Sequence, residues 1–474
     1  MGDEFGSIDD YRSLRENYRL EAPEYFNFGF DVVDRLARER PDDTAIFWSG
    51  QDSERRVTFA EMSARSNRVA NAIRELGLEP GARVMVVLPS VVPWWESIVG
   101  LCKADVIAIP GTNLLTPHDF NYRIEKAGIE AIITDRIGAD KIDELADGLP
   151  GLKYRLLVDE ERRNGWLDYE ELVSAAAEEL DAVATKSDGP SLVYFTSGTT
   201  GFPKMVLHTH ASYGLGHETT GRFWLGLGPD DLHWNVSDTG WAKTAYAAIY
   251  GPWLRGSGVF VRYRPGKFDP KDVLEQTTRY PVTSLCGAPT MYRMLVQEPG
   301  LADYQPSALR QCLAAGEPLN PAVLEKWKAA TGFTIREGYG QSESTILCAC
   351  LPGLEVKPGS MGVPPPGVNL AILDGEGNPL PSGQPGEIAV RVKPDRPLGL
   401  FKEYWRNPEA TAKCYLGEWY LTGDCGEMDE DGYFRFVSRA DDIITSAGYR
   451  IGPFEVENAL MRHPAVAEVA VIGK

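Results

Sequence analysis

The stretch Ser191-Leu192-Val193-Tyr194-Phe195-Thr196-Ser197-Gly198-Thr199-Thr200-Gly201-Phe202-Pro203-Lys204 changes character halfway. Leu192 to Thr196 is a run of mostly apolar, β-favouring residues and reads as a buried strand. From Ser197 onward the chain offers hydroxyls and two glycines. Glycine lets a backbone turn tightly and approach a ligand closely. Hydroxyls and successive free N–H groups can ring an anion. Lys204 closes the loop with a compact positive charge, and Met205-Val206-Leu207 resumes an apolar run. That order predicts a strand, a phosphate-binding loop and a second strand. It is not the G-x-x-x-x-G-K-[ST] loop, because no glycine precedes Lys204 and Met205 follows it. A GTPase or kinase-type NTPase is therefore disfavoured.

Working outward, 474 residues suggest two to four folding units. An apolar content of 43% supports a substantial core. A net charge of −20 argues against a nucleic-acid partner. It also requires anionic ligands to meet local basic pockets, which screening over roughly 8 Å permits. No run of 18 apolar residues is present, so no transmembrane helix is expected. The acidic N-terminus has no hydrophobic signal core. Seven scattered cysteines suggest free thiols in a reducing compartment, and a cytoplasmic location is expected. Cys348 and Cys350 read as small buried residues, and His208 with His210 are too few for a zinc site.

In chain order, residues 1–27 read as a polar, weakly structured arm. A helix is expected over 30–40 and a strand over 45–48. Thr58 with Glu61 reads as a capping box opening a helix that carries Met62, Val69, Ile73 and Leu76 and stops at Gly77. Strands at 83–88, 106–110, 131–134 and 154–158 alternate with helical segments, which predicts a parallel α/β sheet. Residues 171–189 read as a helix and connector and 211–226 as a helix, with strands at 259–262 and 282–285. After about 355 the composition turns to Pro, Gly and short strands (368–373, 387–392), reading as a small β-rich subdomain. A boundary at 439–452, a helix over 455–462 and a strand over 466–472 follow. The expected fold is thus α/β. A large N-terminal domain (1–438) of stacked α/β sheets divides into parts at about 28–185 and 190–350 and a β-rich part at about 355–438. A hinge (439–452) and the start of a small α+β C-terminal domain (453–474) complete it.

Further motifs carry chemistry. Trp234 to Lys243 is dense in aromatic and polar groups and could wall a substrate pocket. Ala314-Ala315-Gly316-Glu317-Pro318-Leu319 follows a probable strand and suits close approach by a flat ring. In Glu337-Gly338-Tyr339-Gly340-Gln341-Ser342-Glu343, Tyr339 can stack on a base and Glu343 can hold Mg²⁺, which prefers carboxylates and phosphate oxygens. In Trp419-Tyr420-Leu421-Thr422-Gly423-Asp424 the carboxylate suits a vicinal diol. Taken singly, each also reads as a packed loop or an ordinary turn.

Taken together and in this order, the motifs resemble those of the acyl-adenylate-forming superfamily of acyl-CoA synthetases, adenylation domains and luciferases. Trp234–Lys243 is closest to the medium-chain branch of acyl-CoA synthetases. The resemblance implies ATP-dependent activation of a carboxylic acid to acyl-AMP and pyrophosphate, followed by transfer to coenzyme A. Two alternatives stay open: an acyl-AMP ligase loading a carrier-protein thiol, and a non-catalytic ATP- and acyl-binding relative. The implied cofactors are ATP, Mg²⁺ and coenzyme A, and the implied partners are small molecules, with assembly into a homo-oligomer left open. The resemblance gives Thr196, Lys204 and Glu343 catalytic roles, with Glu343 on the metal. ATP contacts fall on Thr196, Ser197, Gly198, Thr199, Thr200, Gly201, Phe202, Pro203 and Lys204. They continue through Gly316, Glu317, Pro318, Glu337, Gly338, Tyr339, Gly340, Gln341, Ser342, Asp424 and Arg439. The acid falls to Trp241, Gly287, Gly340 and Ser342, and coenzyme A to Ala447, Gly448, Tyr449 and Arg450. Asp441 is the implied hinge pivot. Acetyl-CoA synthetases carry a tryptophan where Gly340 stands, so a deeper pocket and a medium-chain or aromatic acid are expected, unless this glycine serves packing alone.

One departure is large. The family carries a lysine in a P-x-T-x-x-G-K-type motif near its C-terminus, and no such motif follows Arg450 here. About 35 residues after the hinge are too few to fold alone. The expectation is a truncated chain, or one completed by another part, that adenylates slowly and forms thioester more slowly still.

Overall fold

The computed structural model describes residues 7–145, 149, 151–196, 203–440, 444–446, 449–451, 453–461, 463, 466 and 469–472. The stretch that opened the sequence reading forms two strands, Pro190–Thr196 and Lys204–Thr209, paired antiparallel with Thr196 opposite Lys204. They belong to a first sheet of eight strands. On one side of the pair lies Glu403–Tyr404, with Tyr404 opposite Val206. On the other, Ile107–Pro110, Arg83–Val87, Ala131–Thr134 and Tyr154–Leu157 run parallel. The first three are buried on both faces apart from Arg83, which is why they read as mostly apolar runs, whereas Tyr154 and Arg155 of the fourth are half-buried.

A second sheet has the order Ile346–Ala349, Ile335–Gly340, Gln311–Ala315, Ser284–Gly287, Leu232–Val236, Gly258–Arg262, Thr44–Ser49, Glu54–Thr58. Sheet membership therefore does not follow the expected division at 185–190. Residues 44–58 join the second sheet and 403–404 the first. The cause is edge completion: Thr44–Ser49 adds in parallel to Gly258–Arg262 and buries Ala45 and Ile46.

Between the sheets, the helix Phe59–Glu75 begins at the expected capping box, with Thr58 and Glu61 exchanging hydrogen bonds. Such a cap contributes about 1 kcal/mol. It ends at Gly77, whose φ of +77° favours glycine. The helix packs on Val92–Lys103, where the Lys103 ammonium is buried and held by Asp34 and Asn67. Burial lowers the pKa of Lys103 and Asp34 opposes that shift.

Two helical expectations are corrected. Residues 7–17 are not a loose arm: Ser7 caps the helix Ile8–Asn17, and buried Tyr11 donates to the Pro364 carbonyl at 2.8 Å. The helix expected over 211–226 splits into His210–Gly214 and a π-helical Thr220–Trp224. Gly216 sits where a Cβ would meet the Ser212 carbonyl at 2.2 Å, so the chain turns there in close backbone contact.

The β-rich part is a separate sheet of Leu370–Leu373, Gly386–Arg391, Trp419–Met428, Tyr415–Leu416 and Phe434–Arg439. Beyond it, Ile444–Ser446 pairs with Tyr449–Ile451 and Pro453–Met461 is helical. Residues 466 and 469–472, within the expected last strand, lie in no regular element. The seven cysteines are free, and Cys348 and Cys350 are buried as expected. Among the described residues, no helix is long and apolar enough to cross a membrane.

Candidate active site

A cleft of about 1020 Å³ opens between the strand ends of the two large sheets and the β-rich sheet. Its lining brings together most of the residues singled out above: Thr196, Lys204, Trp241, Gly316, Glu317, Pro318, Asp424, Arg439 and the whole stretch Glu337–Glu343. They come from separate elements and meet only because the sheets stack. Ser197–Phe202, Asp441, Ala447 and Gly448 lie outside the described residues. Tyr449 and Arg450 are described as backbone in a hairpin, opposite Ser446 and Thr445. Pro203 directly precedes Lys204 at the mouth of the loop, and its carbonyl accepts from the Tyr122 hydroxyl at 3.3 Å.

Lys204 and Glu343 are joined through Tyr404. The Lys204 ammonium lies 4.8 Å from the centre of the Tyr404 ring. The Tyr404 hydroxyl donates to Glu343 Oε1 at 2.6 Å. Burial raises the Glu343 pKa, and the Tyr404 hydrogen bond, with Lys204 and Arg439 nearby, works against that rise. A carboxylate desolvated at a cleft wall is suited to a divalent cation, whose charge restores the ionised form. The segment is pinned from below. His208 Nε2 lies 2.7 Å from the Ser342 carbonyl, and since a carbonyl only accepts, that nitrogen carries the proton. Burial lowers the His208 pKa to about 4, so the ring is neutral.

Asp424 gathers three partners. Tyr339 donates its hydroxyl at 2.6 Å and Gln341 its amide at 2.7 Å, while Arg439 Nε stands 3.2 Å from the other oxygen. Tyr420 donates to Gln341 Oε1 at 3.1 Å. This network fixes the stacking face of Tyr339 relative to the carboxylate. Across the cleft, Gly316 has φ +107° with no heavy atom near a would-be Cβ, so its requirement for glycine is conformational. Glu337 is buried, accepts from the Leu319 N–H at 3.4 Å, and is pushed by burial up to about 8. It is a neutral carboxylic acid at pH 7.

Two expected acid contacts fare differently. Gly340 lines the cleft, but a Cβ there would meet the Thr345 carbonyl at 2.6 Å. The glycine thus has a packing requirement of its own. Gly287 ends the strand Ser284–Gly287 beneath Met291, whose side chain fills the space of a Cβ, and the cleft lining does not include it.

A second cavity, of about 390 Å³, lies behind the Trp234–Lys243 stretch. Trp95, Trp234, Val236, Ala248, Phe260 and Met291 give it apolar walls, and Arg262, Arg264 and Lys267 contribute basic groups. Thr290 lines this cavity and donates to the Glu317 carboxylate of the cleft at 2.9 Å. Lys243, between Trp241 and Thr244, donates to the Ala315 carbonyl at 2.7 Å, and its pKa is lowered by burial. The sequence did not single out Tyr404 or Thr290, and it offered Lys243 only as the end of the stretch Trp234–Lys243. Tyr404 sits in the aromatic run 401–405, and only its pairing across some 200 residues brings it to Val206.

The fold and cleft define an ATP-dependent acid–thiol ligase. The family model described as AMP-binding enzyme matches residues 33–405. The human mitochondrial acyl-coenzyme A synthetase ACSM3 is 45% identical over 98% of this chain and 80% of its own length. An anthranilate CoA ligase, AuaEII, in complex with anthranoyl-AMP superposes with a TM-score of 0.88 at 30% identity, over 96% of this chain and 85% of that one. ATP-bound MatB from Rhodopseudomonas palustris gives 0.84 at 27% identity, over 94% and 86%. The chain belongs to the AMP-binding enzyme family and is an acyl-CoA synthetase, with ATP, Mg²⁺ and coenzyme A as its cofactors. The cytoplasmic location expected from the N-terminus and cysteines is overturned by the relatives, which are named as mitochondrial enzymes.

Proposed function

We propose that this acyl-CoA synthetase acts on an acid larger than acetate, of the medium-chain or aromatic type. The observation behind this reading is the cavity of about 390 Å³, apolar where Trp95, Trp234, Val236, Ala248, Phe260 and Met291 wall it, that adjoins the cleft across Thr290 and Glu317. Burying a chain methylene there is worth about 0.8 kcal/mol. The anthranilate-processing neighbour accords with a bulky acid.

Lys204 and the loop it closes hold the ATP phosphates, and Thr196 borders them at the opposite strand end. Tyr339 and the Gly316–Pro318 turn flank adenine, and Glu337, neutral when buried, offers the base a hydrogen-bonding carboxyl. Asp424, steadied by Gln341 and Arg439, receives the ribose diol. Glu343 would hold Mg²⁺, which would supply charge neutralisation for the phosphates. The acid's carboxylate oxygen attacks the α-phosphorus, the bond to the bridging oxygen breaks, and pyrophosphate leaves with the electron pair. Two anions meet in this step, so the barrier is chiefly electrostatic, and Lys204 lowers it by about the few kcal/mol typical of positioned charge. The coenzyme A thiol then gives up its proton to solvent, the thiolate attacks the acyl carbonyl carbon, the bond to the AMP phosphate oxygen breaks, and AMP departs with that electron pair. The segment 439–452 serves as hinge between the halves, with Asp441 its pivot and Ala447–Arg450 meeting coenzyme A.

Acid-dependent exchange of pyrophosphate into ATP, run with butyrate, octanoate and benzoate against acetate, tests the acid assignment. Faster exchange with the larger acids supports it. Acetate as the best substrate would sink it.

A further inference from the structure

Behind the β-rich sheet is a third, polar cavity of about 310 Å³. Arg15 and Arg19 reach it from the N-terminal helix and the coil that follows, and Arg396 from the segment before Phe401. In a chain with 68 acidic and 48 basic residues, an arginine readily finds a carboxylate. Arg136 pairs with Asp159 and Glu161, and Arg163 with Asp140 and Asp143. Arg15, Arg19 and Arg396 pair with none among the described residues. Neutral acceptors hold two of them instead. Arg19 donates to the Glu16 and Tyr18 carbonyls at 2.9 Å and Arg396 to the Phe401 carbonyl, while the Arg15 charge works against the burial-driven rise in the Tyr11 pKa. Each guanidinium has five donors, so each keeps N–H groups and its full charge. Glu21 and Asp395 also line the cavity, yet neither comes within ion-pair distance of the three.

Thr345 adds an independent observation. It is 5% exposed and lines the same cavity, and its hydroxyl has no hydrogen-bond partner among the described residues. That hydroxyl opens onto the cavity and is available as a donor. Its neighbour Gly399 closes in so tightly that a Cβ there would sit 2.2 Å from Thr345 Oγ1.

We propose that this cavity is a second anion site, built for a phosphate or pyrophosphate group. Guanidinium forks match phosphate oxygens in geometry and charge, and the Thr345 hydroxyl supplies a further donor. The site is distinct from the cleft but shares a wall with it. Thr345 N donates to the Gly399 carbonyl at 3.1 Å, and Phe401 N to the Glu343 carbonyl at 2.8 Å. The proposal stands independently of which acid the enzyme takes.

The test is a calorimetric titration of the full chain with inorganic pyrophosphate, and separately with inorganic phosphate, in saturating α,β-methylene ATP to fill the cleft. One anion should bind per chain beyond the nucleotide, more weakly as NaCl is raised. R15Q/R396Q should weaken that binding about tenfold or more, as expected for loss of charge-assisted bonds, while melting temperature and nucleotide binding stay unchanged. Thr345→Val should weaken it by a smaller factor. If R15Q/R396Q does not fold, R19Q, at an exposed position, makes the same test. No binding of either anion below about 10 mM with the cleft filled, or binding that these variants leave unchanged, would overturn the proposal.

Discussion

Tyr404 holds its hydroxyl 2.6 Å from Glu343 while presenting its ring to Lys204 at 4.8 Å. One side chain therefore sets the spacing between the cation of the phosphate loop and the carboxylate assigned to the metal. Tyr404→Phe keeps the ring contact and deletes the hydrogen bond. A bond to a charged group is worth about 1.5–3 kcal/mol, or roughly 10- to 100-fold in rate. Pyrophosphate exchange should fall by that factor. The lost bond also opposed the burial-driven rise in the Glu343 pKa. The acid limb of the pH–rate profile should therefore move to higher pH, and a profile that only scales down would place the role of Tyr404 elsewhere.

Glu337 makes stability depend on pH. Its folded pKa of about 8 lies above the ordinary carboxyl value of 4.5. The folded chain thus keeps a proton that the unfolded chain loses in between. The associated stability is fully present below about pH 4.5, declines as pH rises, and is gone above about pH 8. Glu337→Gln cannot ionise. Melting curves from pH 5 to 9 should show the wild type losing ground steadily to the variant, and a constant difference would mean that Glu337 is ionised in the fold.

Gly340 separates two explanations of the acid preference. A Cβ at 340 would meet the Thr345 carbonyl at 2.6 Å. Overpacking of this kind costs about 1–3 kcal/mol. Gly340→Ala should lower the melting temperature and reduce exchange with octanoate and acetate alike. A shift toward acetate without loss of stability would instead make the glycine an opening of the acyl pocket.

Asp424 is the meeting point of Tyr339, Gln341 and Arg439. Asp424→Asn removes the charge that Arg439 faces and replaces one of the two acceptor oxygens assigned to the ribose by a donor. The KM for ATP should rise about tenfold or more, by the loss of a charge-assisted contact. The KM for the acid should change little. Equal effects on both would show a collapsed cleft rather than a lost nucleotide contact.

What was legible in the sequence was local. The capping box of Thr58 and Glu61, the stop at Gly77 and the strand ending at Thr196 each depend on neighbours within a few residues. The cleft residues were singled out because their motifs, taken together, resemble those of the acyl-adenylate-forming family, and the fold brings most of them into one cleft. The illegible parts were long-range. Nothing within 400–405 announces that Tyr404 pairs with Val206, and nothing in 44–58 announces a place beside Gly258–Arg262. The N-terminal helix escaped notice because its apolar face is little more than Tyr11, with Ile8 and Leu14 half-buried, and its anchor, the Pro364 carbonyl, is 353 residues away.

The pairing of Glu403–Tyr404 onto Lys204–Thr209 bears on how this enzyme can be recombined. The strand that carries Lys204 has its outer edge covered by residues from the far end of the large domain, so it is not free to pair with a foreign neighbour. A chimera with a single crossover between 210 and 402 inherits the strand Lys204–Thr209 from one parent and the strand that covers its outer edge from the other. Segments 190–209 and 400–405 form one exchangeable unit despite their separation, and substrate-pocket grafts confined to 232–349 leave that unit whole because both of its halves stay with the host.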